Sequence, residues 1–364
     1  MIQENLPWVG LGSFPTPVAP LENLSRVVGL ETPLWIKRDD LSGSSYGSNK
    51  VRKLEFLVGR TLARRKRRVL VYGPLGSNYV VAALVYAKKM GLQVTTSLFP
   101  QAITPRVLGN LNAILSMSDS VTVAPSALLL PLAVEIAACR ALQEDGMWPE
   151  ILPMGGSSPL GTLGCLNGVF ELRVQMDEGQ VPEPSAIVVA LGTAGTAAGL
   201  LLGVKLAKIQ SRIVAVRVVD SLVARAGRVQ RLARRTLGLM RRLGCPVPSC
   251  MDWDSSLTVE HGYFGKGYAY WTSEGMDAVR KMKENEGIQL EGTYTGKALA
   301  CAIQEARKEK GEGPVLFWNT YSSVPAPCSG HGSLLDRNPE IQGILSRCPS
   351  GTFDEGILDE DRMS

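Results

Sequence analysis

Four short stretches carry residue types that do chemistry. The first is SSYGSNKVRKLEF, Ser44 to Phe56, in which Lys50 follows a polar Gly/Ser turn and comes just before a helical pattern. A solvated surface lysine needs no such setting. Lys53 lies three residues further on, and that spacing puts both amines on one helix face. The second stretch is VVALGTAGTAAGLLLG, where an apolar run ends at Leu191 or Gly192 and a helical pattern starts near Thr196. A small-residue loop that feeds a helix N-terminus lets backbone N–H groups converge on an anion. Close packing of a turn on a sheet would use the same residues. The spacing is not GxGxxG, which weighs against a dinucleotide fold. The third is YGPLGSNYVVAALVYAKKMG, with Ser77 and Asn78 between a strand and a helix. Serine and asparagine are preferred N-caps; the same helix end can also hold a carboxylate, with Ser77 facing the chemistry. The fourth carries Tyr268 and then Tyr294-Thr295-Gly296-Lys297 at a helix entrance. Tyrosines at helix starts are most often partly buried packing groups.

The composition narrows the chemistry. His261 and His331 are the only histidines in 364 residues, which argues against a histidine triad or metal site. The seven cysteines are odd in number, scattered and free of any CxxC pair. That speaks against a disulfide framework or zinc knuckle and for a reduced, cytoplasmic setting. The first residues show no basic segment followed by a long apolar run, and no stretch of about 18 apolar residues exists, so neither a secretory signal nor a membrane span is expected. The net charge of +5 comes partly from RTLARRKRRV and ARRTLGLMRRLG. No aromatic residues interleave these runs, so they read as solvated helix faces rather than a nucleic-acid footprint.

The elements that must position these residues alternate along the chain. VLVYG, QVTTSLFP, VTVAP, AIVVALG and IVAVRVV each precede an amphipathic stretch, and PVLFWNT follows one. Continuous β-branched runs between helical patterns read as parallel strands covered on both faces. The fold class is α/β, and the length suits two domains or one large α/β unit. The final stretch, SGTFDEGILDEDRMS, is acidic and poor in large apolar residues, and is expected to be a loosely held tail.

Taken together, the four stretches resemble the pyridoxal-phosphate enzymes of the tryptophan-synthase-β type. More narrowly, they resemble the family of 1-aminocyclopropane-1-carboxylate (ACC) deaminase and D-cysteine desulfhydrase. The resemblance runs from PTPVAPLENLS and PLWIKRDDLSG to EGIQLEGTYTGKALA, and up to about Ser323. Its most specific pieces are Asn-Lys-x-Arg-Lys and Tyr-Thr-Gly-Lys. It implies a two-domain fold, each domain with a mostly parallel sheet covered by helices. Residues 1–50 and 157–340 would form the large cofactor domain, 51–156 a small inserted domain that closes over the substrate, and 341–364 a tail. It implies pyridoxal 5'-phosphate as cofactor, with Lys50 as the Schiff-base lysine. Lys53 would bind the phosphate together with Gly192, Thr193, Ala194, Gly195 and Thr196. Asn78 would meet the ring hydroxyl and Thr295 the ring nitrogen. Ser77, Tyr268 and Tyr294 would act in proton transfer or attack, and Ser77, Asn78 and Tyr79 would hold a small amino-acid substrate. A homodimer is expected.

The resemblance also separates its branches. ACC deaminases have glutamate where this chain has Thr295, and the desulfhydrase branch has threonine. A hydroxyl on an unprotonated nitrogen gives a weaker electron sink, which suffices when a β-thiolate leaves. The expected activity is therefore α,β-elimination from D-cysteine to pyruvate, ammonia and sulfide. ACC ring opening, racemisation and a catalytically altered homologue are the alternatives. Tyr79, Trp271, Ser322 and Ser323 depart from the family pattern and are expected on the substrate side.

Overall fold

The computed structural model describes residues 6–308, 313–327 and 339–351. Strands β1 (Val18–Pro20), β2 (Trp35–Arg38), β7 (Ala186–Leu191), β8 (Arg212–Arg217), β9 (Leu257–Glu260) and β10 (Val315–Asn319) form a six-stranded sheet in the order β1-β2-β10-β7-β8-β9. Only the β1–β2 pair at one edge is antiparallel. Strands β3 (Arg68–Pro74), β4 (Gln93–Phe99), β5 (Ser120–Val123) and β6 (Glu150–Leu152) form a second, all-parallel sheet in the order β5-β4-β3-β6. The α/β fold with mostly parallel sheets is thus observed. The short strands β1, β2, β6 and β9 are additions to the six runs read from the sequence.

The central strands show why the apolar runs are continuous. In β7, Ile187, Val189 and Leu191 enter one core while Ala186 and Val188 enter the other. In β10, Leu316 and Trp318 join the first core and Val315 and Phe317 the second. Side chains alternate along a strand, so a strand covered on both faces must be apolar at every position. The helices that cover the sheets are α1 (Glu22–Val27), α2 (Asn49–Ala63), α3 (Asn78–Lys89), α4 (Pro105–Met117), α5 (Leu130–Asp145), α6 (Pro159–Asp177), α7 (Gly195–Leu206), α8 (Ala226–Arg242), α9 (Ser273–Glu286), α10 (Thr295–Lys308) and α11 (Pro339–Leu345).

Helix α2 is anchored by buried charge. Arg52 donates to Asp39 at 2.7 Å and to Glu171 at 2.9 Å, and Trp318 donates its indole N–H to Asp39 at 2.7 Å. Lys37 pairs with the same Glu171. Two cations and two carboxylates balance here, which is what lets charges stay in a core.

The C-terminal stretch is more structured at its start than expected. Ile103 donates its N–H to the Pro349 carbonyl and Gly351 donates to Ile103, both at 2.8 Å, and Ile341 is buried. These two backbone bonds give Pro349 and Gly351 partners that composition does not reveal. The acidic remainder, residues 352–364, lies outside the described residues.

Candidate active site

A cavity of about 350 Å³ opens where the C-terminal ends of β3, β4 and β7 come together. Its wall includes Lys50, Lys53, Ser77, Asn78, Tyr79, Gly192, Thr193, Ala194, Gly195, Thr196, Tyr268 and Tyr294. The four stretches picked out by residue type therefore meet at one place, at the strand ends where open α/β sheets hold ligands.

Lys50 sits in the first turn of α2, behind the N-cap Ser48, whose Oγ accepts the Lys50 N–H. The Lys50 Nζ is 3.5 Å from the Thr320 carbonyl and 5.8 Å from the centre of the Tyr294 ring. Burial brings its amine down to about 7, and the Lys53 ammonium adds to the fall against weaker opposing pulls from Glu291, Cys165 and Asp39. At neutral pH a large share of this lysine is therefore an uncharged nucleophile.

Lys53 is buried one turn along, and burial lowers its pKa as well. Its Nζ donates to the Gly155 carbonyl at 3.0 Å, and among the described residues it has no carboxylate partner. It points at the start of α7. There Ala194 takes a left-handed φ of 73° and offers no side-chain cap; Ser157 Oγ takes the Gly195 N–H, and the N–H groups that follow have no cap from Ala194. A Cβ on Gly195 would stand 2.5 Å from Ser157 Oγ and 3.0 Å from Lys53 Nζ, so glycine is what keeps this cradle open. Gly155, at φ 63°, would push a Cβ to 2.2 Å from Thr193 Oγ1. Asn49 donates to Thr196 Oγ1 at 2.6 Å while its own Oδ1 is buried without a partner.

A buried amine with no carboxylate partner beside a helix N-terminus calls for an anion. These donors fit the phosphate of pyridoxal 5'-phosphate, and a low-pKa lysine across the cavity fits its aldehyde. Ser157 was not singled out by sequence reasoning, although it accepts the Gly195 N–H at 3.1 Å and bonds Thr193 Oγ1 at 2.7 Å. The signal was present as Gly-Gly-Ser-Ser-Pro, a turn followed by an N-cap and a proline at the helix start.

On the reacting side, Ser77 serves both readings. It caps α3, with Oγ accepting the Val80 N–H at 3.3 Å, and it also lines the cavity. Asn78 Oδ1 accepts from Tyr46 at 3.2 Å and from Asn110 at 2.8 Å. The Tyr268 and Tyr294 hydroxyls are 2.8 Å apart, with their rings edge to face. Burial raises both phenols, Tyr268 to about 12, so both keep their protons at neutral pH.

The structure treats several other positions differently. Thr295 is buried but is not among the cavity-lining residues; its Oγ1 exchanges hydrogen bonds with Glu291 at 3.1 and 3.2 Å. Glu291 caps α10 by accepting the N–H groups of Thr293, Tyr294 and Thr295, each at 2.8 Å. Tyr79 reaches the cavity wall, yet it belongs to the core and its hydroxyl is buried without a partner. Trp271 lines a small side chamber behind Tyr268 and Tyr294 instead of the main cavity. Ser322 Oγ donates to the Val324 carbonyl at 2.8 Å and Ser323 Oγ to Asp40 at 3.0 Å. Local turn bonding thus holds these two serines, and Thr320 is the residue of that loop on the cavity wall.

Among the described residues no cluster of three or more histidine, cysteine or acidic side chains could hold a metal ion, and no helix is long and apolar enough to cross a membrane.

Comparison with known proteins gives the family. The chain is 34% identical over 340 residues to D-cysteine desulfhydrase of Klebsiella pneumoniae (strain 342), which covers 90% of this chain and 97% of that one. It superposes on an ACC deaminase homologue with a TM-score of 0.74 at 30% identity, over 94% of this chain and 98% of the other. O-ureido-L-serine synthase, at 18% identity and a TM-score of 0.58 over 89% and 93% of the two chains, shares the fold. The family model for pyridoxal-phosphate-dependent enzymes matches residues 9–320, a span that takes in the lysine, the anion cradle and both tyrosines. This chain belongs to the pyridoxal-phosphate-dependent enzymes.

Proposed function

We propose that the protein is an α,β-eliminating lyase of small amino acids, with D-cysteine or a β-substituted D-alanine as substrate and pyruvate, ammonia and the leaving group as products. The observation that carries this reading is Lys50. It is a near-neutral amine set between the Tyr294 ring and the anion cradle, in a chain 34% identical to a D-cysteine desulfhydrase.

Lys53, Thr196, Ser157 and the N-terminus of α7 would hold the cofactor phosphate. When bound, pyridoxal 5'-phosphate supplies the aldehyde that takes the amino group and the sink for electrons released at Cα. Lys50 Nζ is the base for the Cα proton. The α3 N-terminus and the Ser77 hydroxyl orient the substrate carboxylate, since that hydroxyl is free to donate while its oxygen caps the helix. Tyr294 Oη, in contact with Tyr268 Oη, gives a proton to the departing sulfur. In a chain nearly free of histidine, buried phenols are the acids at hand.

ACC ring opening is the second reading, favoured by the ACC deaminase homologue in the structural comparison. The charge distribution supports elimination. Asp220, at the cavity mouth, is the one carboxylate among the lining residues, and Glu291 is committed to the backbone of α10. No lining carboxylate is then available to hold a protonated ring nitrogen, and a weaker electron sink suits a thiolate leaving group better than a cyclopropane.

The four-stranded sheet, drawn wholly from Arg68–Leu152, supports segment 51–156 as an inserted domain that closes on the substrate. Exposed Leu132 and Ile136 on α5 support a homodimer, and the scattered cysteines support a cytoplasmic setting. The test is to incubate purified protein and pyridoxal 5'-phosphate with D-cysteine, L-cysteine, D-serine and ACC, measuring pyruvate, sulfide and 2-oxobutyrate. Sulfide and pyruvate in equal amounts from D-cysteine are expected. Efficient 2-oxobutyrate release from ACC would reverse the assignment.

A further inference from the structure

The mouth of the cavity is apolar on both sides. Phe99, Ala127 and Met154 line it from the four-stranded half, and Val219 and Val223 from the loop after β8, with Asp220 as the one charged wall residue of that loop. Beside these residues in sequence stand Leu128 and Leu222, 87% and 75% exposed, the two most exposed large apolar side chains among the described residues. Single exposed leucines need no explanation. Each of these two is joined through the backbone to a wall residue, Leu128 to Ala127 and Leu222 to Val223, and the pair is taken as an apolar rim on that adjacency. A free cysteine thiol would leave that rim bare.

We propose that the site takes amino acids with an apolar thioether substituent at Cβ, and that Leu128 and Leu222 are specificity residues that cover this substituent. The inference rests on the elimination reading above and narrows its substrate class. For a thioether R–S–CH2–CH(NH3+)–COO−, the Cα–H and Cβ–S bonds break and a proton reaches the sulfur. Substrate and one water then give the thiol RSH, pyruvate and ammonium, with no oxidant or reductant consumed. Phe99, Ala127 and Val223 offer R no charged partner, and Asp220 disfavours an R that carries a carboxylate.

The experiment compares D-cysteine with its S-methyl, S-propyl, S-benzyl and S-carboxymethyl derivatives on the holoenzyme, reading pyruvate and thiol. The kcat/KM should rise from S-methyl to S-benzyl by about tenfold, the scale on which apolar pockets discriminate added carbon. S-carboxymethyl should fall below S-propyl. Leu128→Asp and Leu222→Asp should each lower the S-benzyl to S-methyl ratio by roughly fivefold, because discrimination is a ratio of kcat/KM values. A second readout needs no turnover. D-2-amino-5-phenylpentanoate has a methylene in place of the sulfur and cannot eliminate, so calorimetry should show it binding several-fold more weakly to both variants. Turnover of D-cysteine with rates that fall as R grows would overturn the inference and leave the elimination reading standing. No pyruvate from any substrate would sink the elimination reading, and the binding of the isostere would then decide the rim alone. Variants that change the sedimentation coefficient but not the substrate ratio would make the rim a protein contact and end the proposal.

Discussion

At the scale of single residues, the site depends on one amine, Lys50, brought near neutrality by burial and on phenols kept protonated by it. The folded pKa of Lys50, about 7, lies below the ordinary lysine value of 10.5. Between those two values the unfolded chain binds a proton that the folded chain does not. Stability of the cofactor-free protein should therefore rise with pH across that window and drop as pH falls toward 7. The same titration controls reactivity, since only the neutral amine attacks an aldehyde. Stopped-flow absorbance should show cofactor attachment accelerating as pH passes about 7 and levelling above it. Borohydride reduction and peptide mapping should place the label on Lys50; a label elsewhere would remove the basis of the mechanism. Tyr294→Phe should retain the cofactor and lower kcat by roughly 10²–10⁴-fold, the usual contribution of a positioned acid. A near-native rate would return Tyr294 to a packing role. These positions stood out in the sequence because lysine, serine and tyrosine lie at element boundaries. Thr295 stands at such a boundary too, at the first turn of α10, where its hydroxyl bonds to the capping Glu291.

At the scale of elements, the cradle is a property of where α2 and α7 begin. Lys53→Ala and Thr196→Ala should each weaken cofactor retention more than they slow the chemistry, because charge-assisted bonds to phosphate exceed neutral ones. Equilibrium dialysis in phosphate buffer measures this, and unchanged affinity in both variants would move the phosphate elsewhere. Strands β3, β4, β7, β8 and β10, with five to seven residues each, were readable as apolar or β-branched runs, since two covered faces impose no polar alternation; β5, with four, was read from VTVAP. Strands β1, β2, β6 and β9 have three or four residues each and were not. So short a strand carries too few positions to show a period, and its pairing is decided by neighbours far away in sequence. Ser157 escaped for a related reason. Its partners Thr193 and Gly195 are more than thirty residues away, and only the folded chain brings them within 3.1 Å.

At the scale of the whole molecule, the buried Arg52, Asp39, Glu171 and Lys37 group ties the Lys50 helix to both β2 and α6. Arg52→Met leaves Asp39 without its ion-pair partner and Glu171 with Lys37 alone, and should cost about 3–5 kcal/mol, measurable by urea denaturation. A second whole-molecule feature is the position of β10. Among the described residues it is last in sequence of the strands, yet it lies between β2 and β7 and is the sole link between the β1–β2 pair and the β7–β8–β9 unit. On the ribosome the chain emerges from its N-terminus. The four-stranded sheet uses only contiguous chain and can assemble while synthesis continues. The six-stranded sheet cannot close until residue 319 has left the tunnel. Lys50, Lys53 and the small-residue loop therefore exist for most of translation as fragments with no shared floor beneath them. Nascent chains stalled so that residue 308 is the last outside the tunnel should resist proteolysis across β3 to β6 and be cut readily in β7 and β8. Release of β10 should bring protection and cofactor binding together, in one step.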